Sequence, residues 1–231
     1  MGCGGGAPLL HPAHVLTPGK MSLGAGASGQ FALRSVGTED SDNARLEQAT
    51  VAPGVAPWVG GRVGIDGSNE AGLTYTARTV RADARHAFDL GGPALSVGGG
   101  ASLIFPQRPG RDDSDTRLYG GGIDVPVLFG VRTSSDLYAL WIGPRAGFAL
   151  MGGSVRSTEP VAPGGEATAR DFDARHFHVG MVAGVRAGFR HLHVAVELDG
   201  AYHYAEATLG DASASIDQVT LTPAGALVLT F

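Results

Sequence analysis

Long runs of this sequence alternate strictly between apolar and polar or small residues, and that period of two limits the fold more than any other feature. Near the C-terminus Val219, Leu221, Pro223, Gly225, Leu227, Leu229 and Phe231 fall on one face, with Thr220, Thr222, Ala224, Ala226, Val228 and Thr230 on the other. Leu192 to Tyr204 repeats the pattern, with Leu192, Val194, Val196, Leu198, Tyr202 and Tyr204 opposite His193, Glu197, Asp199 and His203. Alternation sustained this long describes a β-strand with one apolar and one polar face. Helix is a poor fit, because glycine makes up 37 of the 231 residues and is scattered through every such run.

Applied along the chain, the pattern predicts about ten strands, with eight to twelve compatible. They fall near Lys20–Leu33, Arg45–Ala52, Pro57–Ile65, Glu70–Ala84, Ala94–Phe105, Thr116–Val131, Leu137–Met151, Ala174–Arg190, Leu192–Thr208 and Ser215–Phe231. Short turns are expected at Gly67-Ser68-Asn69, Thr133-Ser134-Ser135 and Arg190-His191, and long polar links at Pro106–Ser114 and Gly152–Asp171. The later links alternate short and long, as when one rim of a barrel carries tight turns and the other carries loops. The Gly67 turn is an exception, a short link on the loop side. The expected fold is all-β, a closed antiparallel up-and-down barrel over residues 20–231, preceded by a flexible tail over 1–19.

Composition removes several alternatives. A single cysteine excludes an internal disulfide. Net charge is -5, with Lys20 the only lysine, so no nucleic-acid footprint is present. No apolar run approaches the length of a transmembrane helix. With 43% hydrophobic and 17% charged residues, disorder is disfavoured.

Aromatic placement decides which face meets which solvent. Tyr119 and Phe129 share the apolar face of the sixth strand, Tyr138 and Phe148 that of the seventh, and Phe177 and Phe189 bracket the eighth. Ten residues of a strand tilted near 40° rise about 25 Å, the height of the lipid-facing band of a membrane barrel. Aliphatic residues fill the interval: Ile123, Val125, Val127, Leu140, Ile142, Val179, Met181 and Val185. Rings at both ends of an aliphatic band suit two bilayer interfaces. The opposite face carries Arg62, Arg78, Asp124, Arg145, Arg186, Glu197 and Asp199 among small residues. These charges are read as a ladder of arginine–carboxylate pairs filling a narrow lumen. The alternative is a soluble barrel holding an apolar ligand, with Val125, Val127, Leu140 and Ile142 inside.

On these features the chain resembles a bacterial outer-membrane β-barrel protein, small and porin-like, from Lys20 to Phe231. Its last residue, Phe231, with Leu229 and Leu227 before it, is similar to the terminal signal that barrel-assembly machinery reads in that family. Ala226 stands where the family usually has glycine. The resemblance implies a Gram-negative outer membrane with both termini periplasmic. It also implies outer-membrane lipids, lipopolysaccharide and the assembly machinery as partners, and no cofactor. Cys3, between Gly2 and Gly4-Gly5-Gly6, resembles the first mature residue of a lipoprotein, without the usual apolar stretch upstream. Myristoylation is disfavoured, because position 6 is glycine.

No catalytic constellation is convincing. His176 and His178 share a face near the loop rim, and His191 and His193 sit by a short turn, a strand length away. Neither pair completes a zinc site. Glu197 and Asp199 are expected to pair with Arg186 on the neighbouring strand. Some ten-strand outer-membrane barrels are proteases with paired aspartates and an Asp-His couple. The candidates for such a site here are Asp112, Asp113 and Asp115 with His176, His178 or His203, but the aspartates fall in a loop. The expected function is a structural or narrow-pore membrane barrel without catalytic activity. The alternatives are a barrel protease or lipid-modifying enzyme, and the soluble ligand-binding barrel. Gly98-Gly99-Gly100 and Gly120-Gly121-Gly122 lie within strands and relieve crowding rather than cradle phosphate.

Overall fold

The computed structural model describes residues 6–33, 51, 53–105, 117–156, 169–210 and 212–231. Ten strands form: β1 (Met21–Ala32), β2 (Gly54–Asp66), β3 (Asn69–Thr76), β4 (Thr79–Asp89), β5 (Ala94–Ile104), β6 (Arg117–Arg132), β7 (Tyr138–Arg156), β8 (Ala169–Phe189), β9 (Leu192–Leu209) and β10 (Ala212–Thr230). Each pairs antiparallel with its neighbours in sequence, and β1 pairs with β10, so the sheet closes into a barrel. The seam runs from Ser22↔Thr230 to Ala32↔Thr220. Met21 and Phe231 extend it by exchanging backbone hydrogen bonds of 3.3 and 2.9 Å.

The strand count is the one expected, but two of its members differ. The strand read at Glu70–Ala84 is two strands, β3 and β4, joined by a turn at Ala77-Arg78. The strand read at Arg45–Ala52 lies outside the described residues apart from Val51. The reason for the first difference is a slip of phase. Glu70, Thr74 and Thr76 are buried on β3, then Arg81, Asp83 and Arg85 are buried on β4. An unbroken strand would send one of these sets to the outer face. With this turn counted, the links at 67–68, 90–93, 133–137 and 190–191 share one rim and all are short. The Gly67 turn therefore belongs to the short-turn rim, and the three longest links lie on the opposite rim.

The apolar face points outward. Ile123, Ile142 and Met181 are 62%, 51% and 50% exposed, and Val125 and Leu140 face outward with them. This is the reverse of what a soluble ligand-binding barrel needs. Phe148, Phe177 and Tyr204 are register neighbours across β7, β8 and β9. Past that row the same outer face turns polar, to Arg175 and Asp173 on β8, Glu206 and Thr208 on β9, and Asp217 and Ser215 on β10. Toward the short-turn rim the band ends at Phe88, Phe129, Tyr138, Phe189 and Phe231, all exposed.

Strands β7–β10 run past the row of rings and project beyond it. The inner face of this extension is apolar: Met151, Phe172, Ala174, Ala205, Ala207 and Ile216 pack with Val51 into a core of their own. Alternation there is inverted relative to the band below, apolar inside and polar outside, as for a sheet facing water.

A charge placed in the band tests this geometry. Ile142→Arg is expected to destabilise the barrel by about 2–4 kcal/mol. Asp173→Arg, beyond the rings, is expected to change little. Urea unfolding in lipid vesicles compares the two.

Candidate functional site: a charged lumen holding the N-terminal segment

Within the tail expected over 1–19, residues 6–16 run inside the barrel and 17–19 are exposed at the short-turn rim. Leu9, Leu10 and Ala13 are buried against Trp58, Leu128, Trp141 and Val182, forming an apolar core within the lumen. Both tryptophans face inward, and inward glycines make room for them. A Cβ at Gly184 would lie 2.2 Å from the Trp141 ring, and one at Gly60 would lie 2.6 Å from Trp58.

The wall holds this segment largely through its backbone. The Glu197 carboxylate accepts the N–H groups of Leu9 and Leu10 at 2.6 and 2.8 Å and the Trp141 indole N–H at 3.1 Å. Leu10 itself adopts φ 52°, a left-handed conformation that costs leucine about 1–2 kcal/mol. Glu70 accepts the Leu16 N–H at 2.7 Å. Arg145 donates to the Ala7 carbonyl at 2.7 Å, and Arg85 donates to the carbonyls of Pro12 and His14. Ser28 donates to the Gly6 carbonyl at 2.8 Å.

The same side chains form one alternating chain of charges across the wall. It runs from Arg85 to Glu70 (2.9 Å), Arg62, Asp83 (2.6 Å), Arg81 (2.6 Å), Asp124 (2.7 Å), Arg145 (3.2 Å) and Asp199 (3.7 Å). Each inner member touches two opposite charges, the arrangement that offsets desolvation in an interior of low dielectric. Arg81, Asp83 and Arg85 were not among the residues singled out from sequence, because merging β3 with β4 put them on the face opposite Arg78, and their spacing of two along β4 was the available signal. Glu70, on the same face as Arg78, was not singled out either.

Arg186 does not reach Glu197 or Asp199. It donates to the Asp136 carboxylate in the β6–β7 turn at 2.7 and 2.9 Å. Glu197 is instead taken up by the N-terminal segment. Arg78 sits in the turn at the loop rim, its guanidinium 3.8 Å from the Met151 sulfur. His176 and His203 stack with centroids 5.0 Å apart and share a 2.8 Å hydrogen bond, and His203 bonds Thr220. His178 leans on both rings. Among the described residues no group of three His, Cys, Asp or Glu side chains converges as metal ligands would. His193 bonds the Asp136 carbonyl and His191 that of Thr230. Asp112, Asp113, Asp115 and Cys3 lie outside the described residues. The aromatic residues Tyr119, Phe129, Tyr138, Phe148, Phe177 and Phe189 all face outward, as do Leu227, Leu229 and Phe231.

His11 lies in the segment, 4% exposed. Burial, reinforced by the Arg62, Arg85 and Arg81 guanidiniums, holds its pKa well below the ordinary value, so the seated imidazole is neutral.

The outer band and polar lumen together describe one kind of surface. This is a barrel that spans a bilayer. No family model matches the sequence, and no curated protein matches it. Among solved structures the chain is similar to Neisserial surface protein A, with 12% identity and a TM-score of 0.34 over 92% of this chain and 96% of that one. It is similar to Ail, the attachment invasion locus protein of Yersinia pestis, with 10% identity and a TM-score of 0.32 over 93% and 100%. It is also similar to the translocator domain of the autotransporter NalP from Neisseria meningitidis, with 11% identity and a TM-score of 0.37 over 94% and 90%.

Removing the shared carboxylate Asp83 leaves Arg62 and Arg81 without their common partner. Asp83→Ala is expected to destabilise the barrel by about 3–5 kcal/mol. Arg186→Ala, whose partner Asp136 is partly exposed, is expected to cost less than half of that. Urea midpoints in vesicles distinguish the two.

Proposed function

We propose that this protein is an integral outer-membrane β-barrel that holds a narrow channel closed, with residues 6–19 as the closing element. The observation that carries the reading is the seating of Leu9 and Leu10 on Glu197 inside a barrel with an apolar exterior. The alternating charges brace the wall and hold the segment at once. Outer-membrane lipids and lipopolysaccharide surround the band. Phe231, Leu229 and Leu227 face outward at the short-turn rim, which supports recognition by the assembly machinery and a periplasmic position for that rim. The Thr220 hydroxyl lies 2.8 Å from His203 Nε2, but both are buried in the wall, so a structural and gating role is preferred to catalysis.

Planar-bilayer conductance tests this. The full chain is expected to be nearly silent. Deleting residues 1–19, which leaves β1–β10 whole, is expected to yield steady conducting steps. Equal conductance from both proteins would overturn the proposal.

The gate has a pH dependence of definite sign. Above pH about 6.5 His11 is neutral whether seated or released, and pH has no effect through it. Below that value the released imidazole takes up a proton that the seated one resists. Release is therefore favoured by up to about 1.4 kcal/mol for each further unit of acidification. Conductance of the full chain is expected to rise between pH 7 and 5, and that of His11→Leu to rise less, since burial also holds the pKa of His14 in the same segment below its ordinary value. Labelling of Ala13→Cys by a soluble maleimide, in a chain carrying Cys3→Ser, follows the same event without electrodes.

A further inference from the structure

Among the described residues Glu197 is the one buried carboxylate of the lumen that no arginine reaches. Glu70, Asp83, Asp124 and Asp199 each touch at least one guanidinium, and Asp136 takes Arg186. The four arginines and four carboxylates from Arg85 to Asp199 cancel, so Glu197 adds a negative charge that the series does not balance. It is 1% exposed.

Its surroundings are apolar and aromatic. Trp58, Leu128, Trp141 and Val182 belong to the core into which Leu9 and Leu10 pack. In the seated state three N–H donors converge on the carboxylate, from Leu9 at 2.6 Å, Leu10 at 2.8 Å and Trp141 at 3.1 Å. Two of the three belong to the segment and leave with it. Each leucine brings an N–H donor beside an apolar side chain, so the seated segment itself displays the chemistry that the site accepts. Once it leaves, an anion with a single indole donor stands in an apolar chamber, a state that calls for a cation. A primary ammonium supplies both the donors and the missing charge, and indole faces attract it further.

We propose that Glu197, Trp58 and Trp141 form a binding site for small organic ammonium cations, covered by the N-terminal segment in the closed barrel. The ammonium meets the Glu197 carboxylate in place of the Leu9 and Leu10 amides, and its apolar body replaces their side chains. Cation and segment therefore exclude each other, and binding favours the open barrel. The closed wall separates Glu197 from the lipid, so a soluble cation and not a headgroup is the occupant. The proposal rests on the release of the segment and names the ligand class of the site that release uncovers.

The test is hydrogen–deuterium exchange of the wild-type full chain in phosphatidylcholine nanodiscs at pH 7.5, with benzylamine, benzyl alcohol and phenyl phosphate as probes. Benzylamine at about 10 mM is expected to speed exchange of the stretch containing Leu9 and Leu10 at least about fivefold, as a ligand of the open state does. The neutral and anionic analogues are expected to leave it nearly unchanged. Glu197→Gln, which keeps the shape and removes the charge, is expected to exchange faster at rest and to lose the response to benzylamine. An equal effect of benzyl alcohol would overturn the proposal. So would no effect of benzylamine, or a full response in a Glu197→Gln chain that retains heat-modifiable gel mobility. Conductance of the chain lacking residues 1–19 keeps the two readings apart. If that deletion opens the channel and benzylamine leaves exchange unchanged, the site alone fails. If full and truncated chains conduct equally, the gate fails and this site with it.

Discussion

A strand in lipid has no water to bond its amides, so every backbone pair on the sheet depends on the closing seam between β1 and β10. Once that seam is made, the rest of the molecule follows from geometry. Closure forces each strand to show one face to lipid and one to a narrow interior. The exterior becomes the aliphatic band between rows of rings. The interior must then accept every charge that the strands carry, in a volume too small for water to solvate them freely.

That interior solves its problem with alternation of sign and with a borrowed partner. Seven contacts link eight charged side chains from Arg85 to Asp199, each inner one between two of opposite sign. Glu197 stands outside the series and is met by the amides of Leu9 and Leu10. The N-terminal segment is thus part of the wall's electrostatics as well as a filling. Its Leu9, Leu10 and Ala13 complete an apolar centre that Trp58 and Trp141 begin.

The band, the closed sheet and the two rows of rings were legible in the sequence, because a period of two needs only local order to be read. The turn at Ala77-Arg78 was not, since neither residue is a typical turn former. It showed only as the inward set changing from Glu70, Thr74 and Thr76 to Arg81, Asp83 and Arg85. The partner of Glu197 could not be read at all. Residues 9 and 10 are far away in sequence, are apolar, and contribute backbone atoms that every residue possesses. Arg186 was the nearest charge by register, yet the β6–β7 turn brings Asp136 to it first. Trp58 and Trp141 broke the rule that rings mark interfaces, because inward glycines opposite them leave space for rings inside.

Barrel closure joins β1, the first strand of the sheet, to β10, the last, across almost the whole chain. Residues 6–19 immediately precede β1, and their buried part lies inside the lumen that β10 completes. Sealing β1 to β10 carries the longest loop-closure entropy in the molecule. The segment that shuts the finished channel is then also a template around which the open sheet curls, and its apolar residues give the sheet's inner face something to wrap before its edges meet.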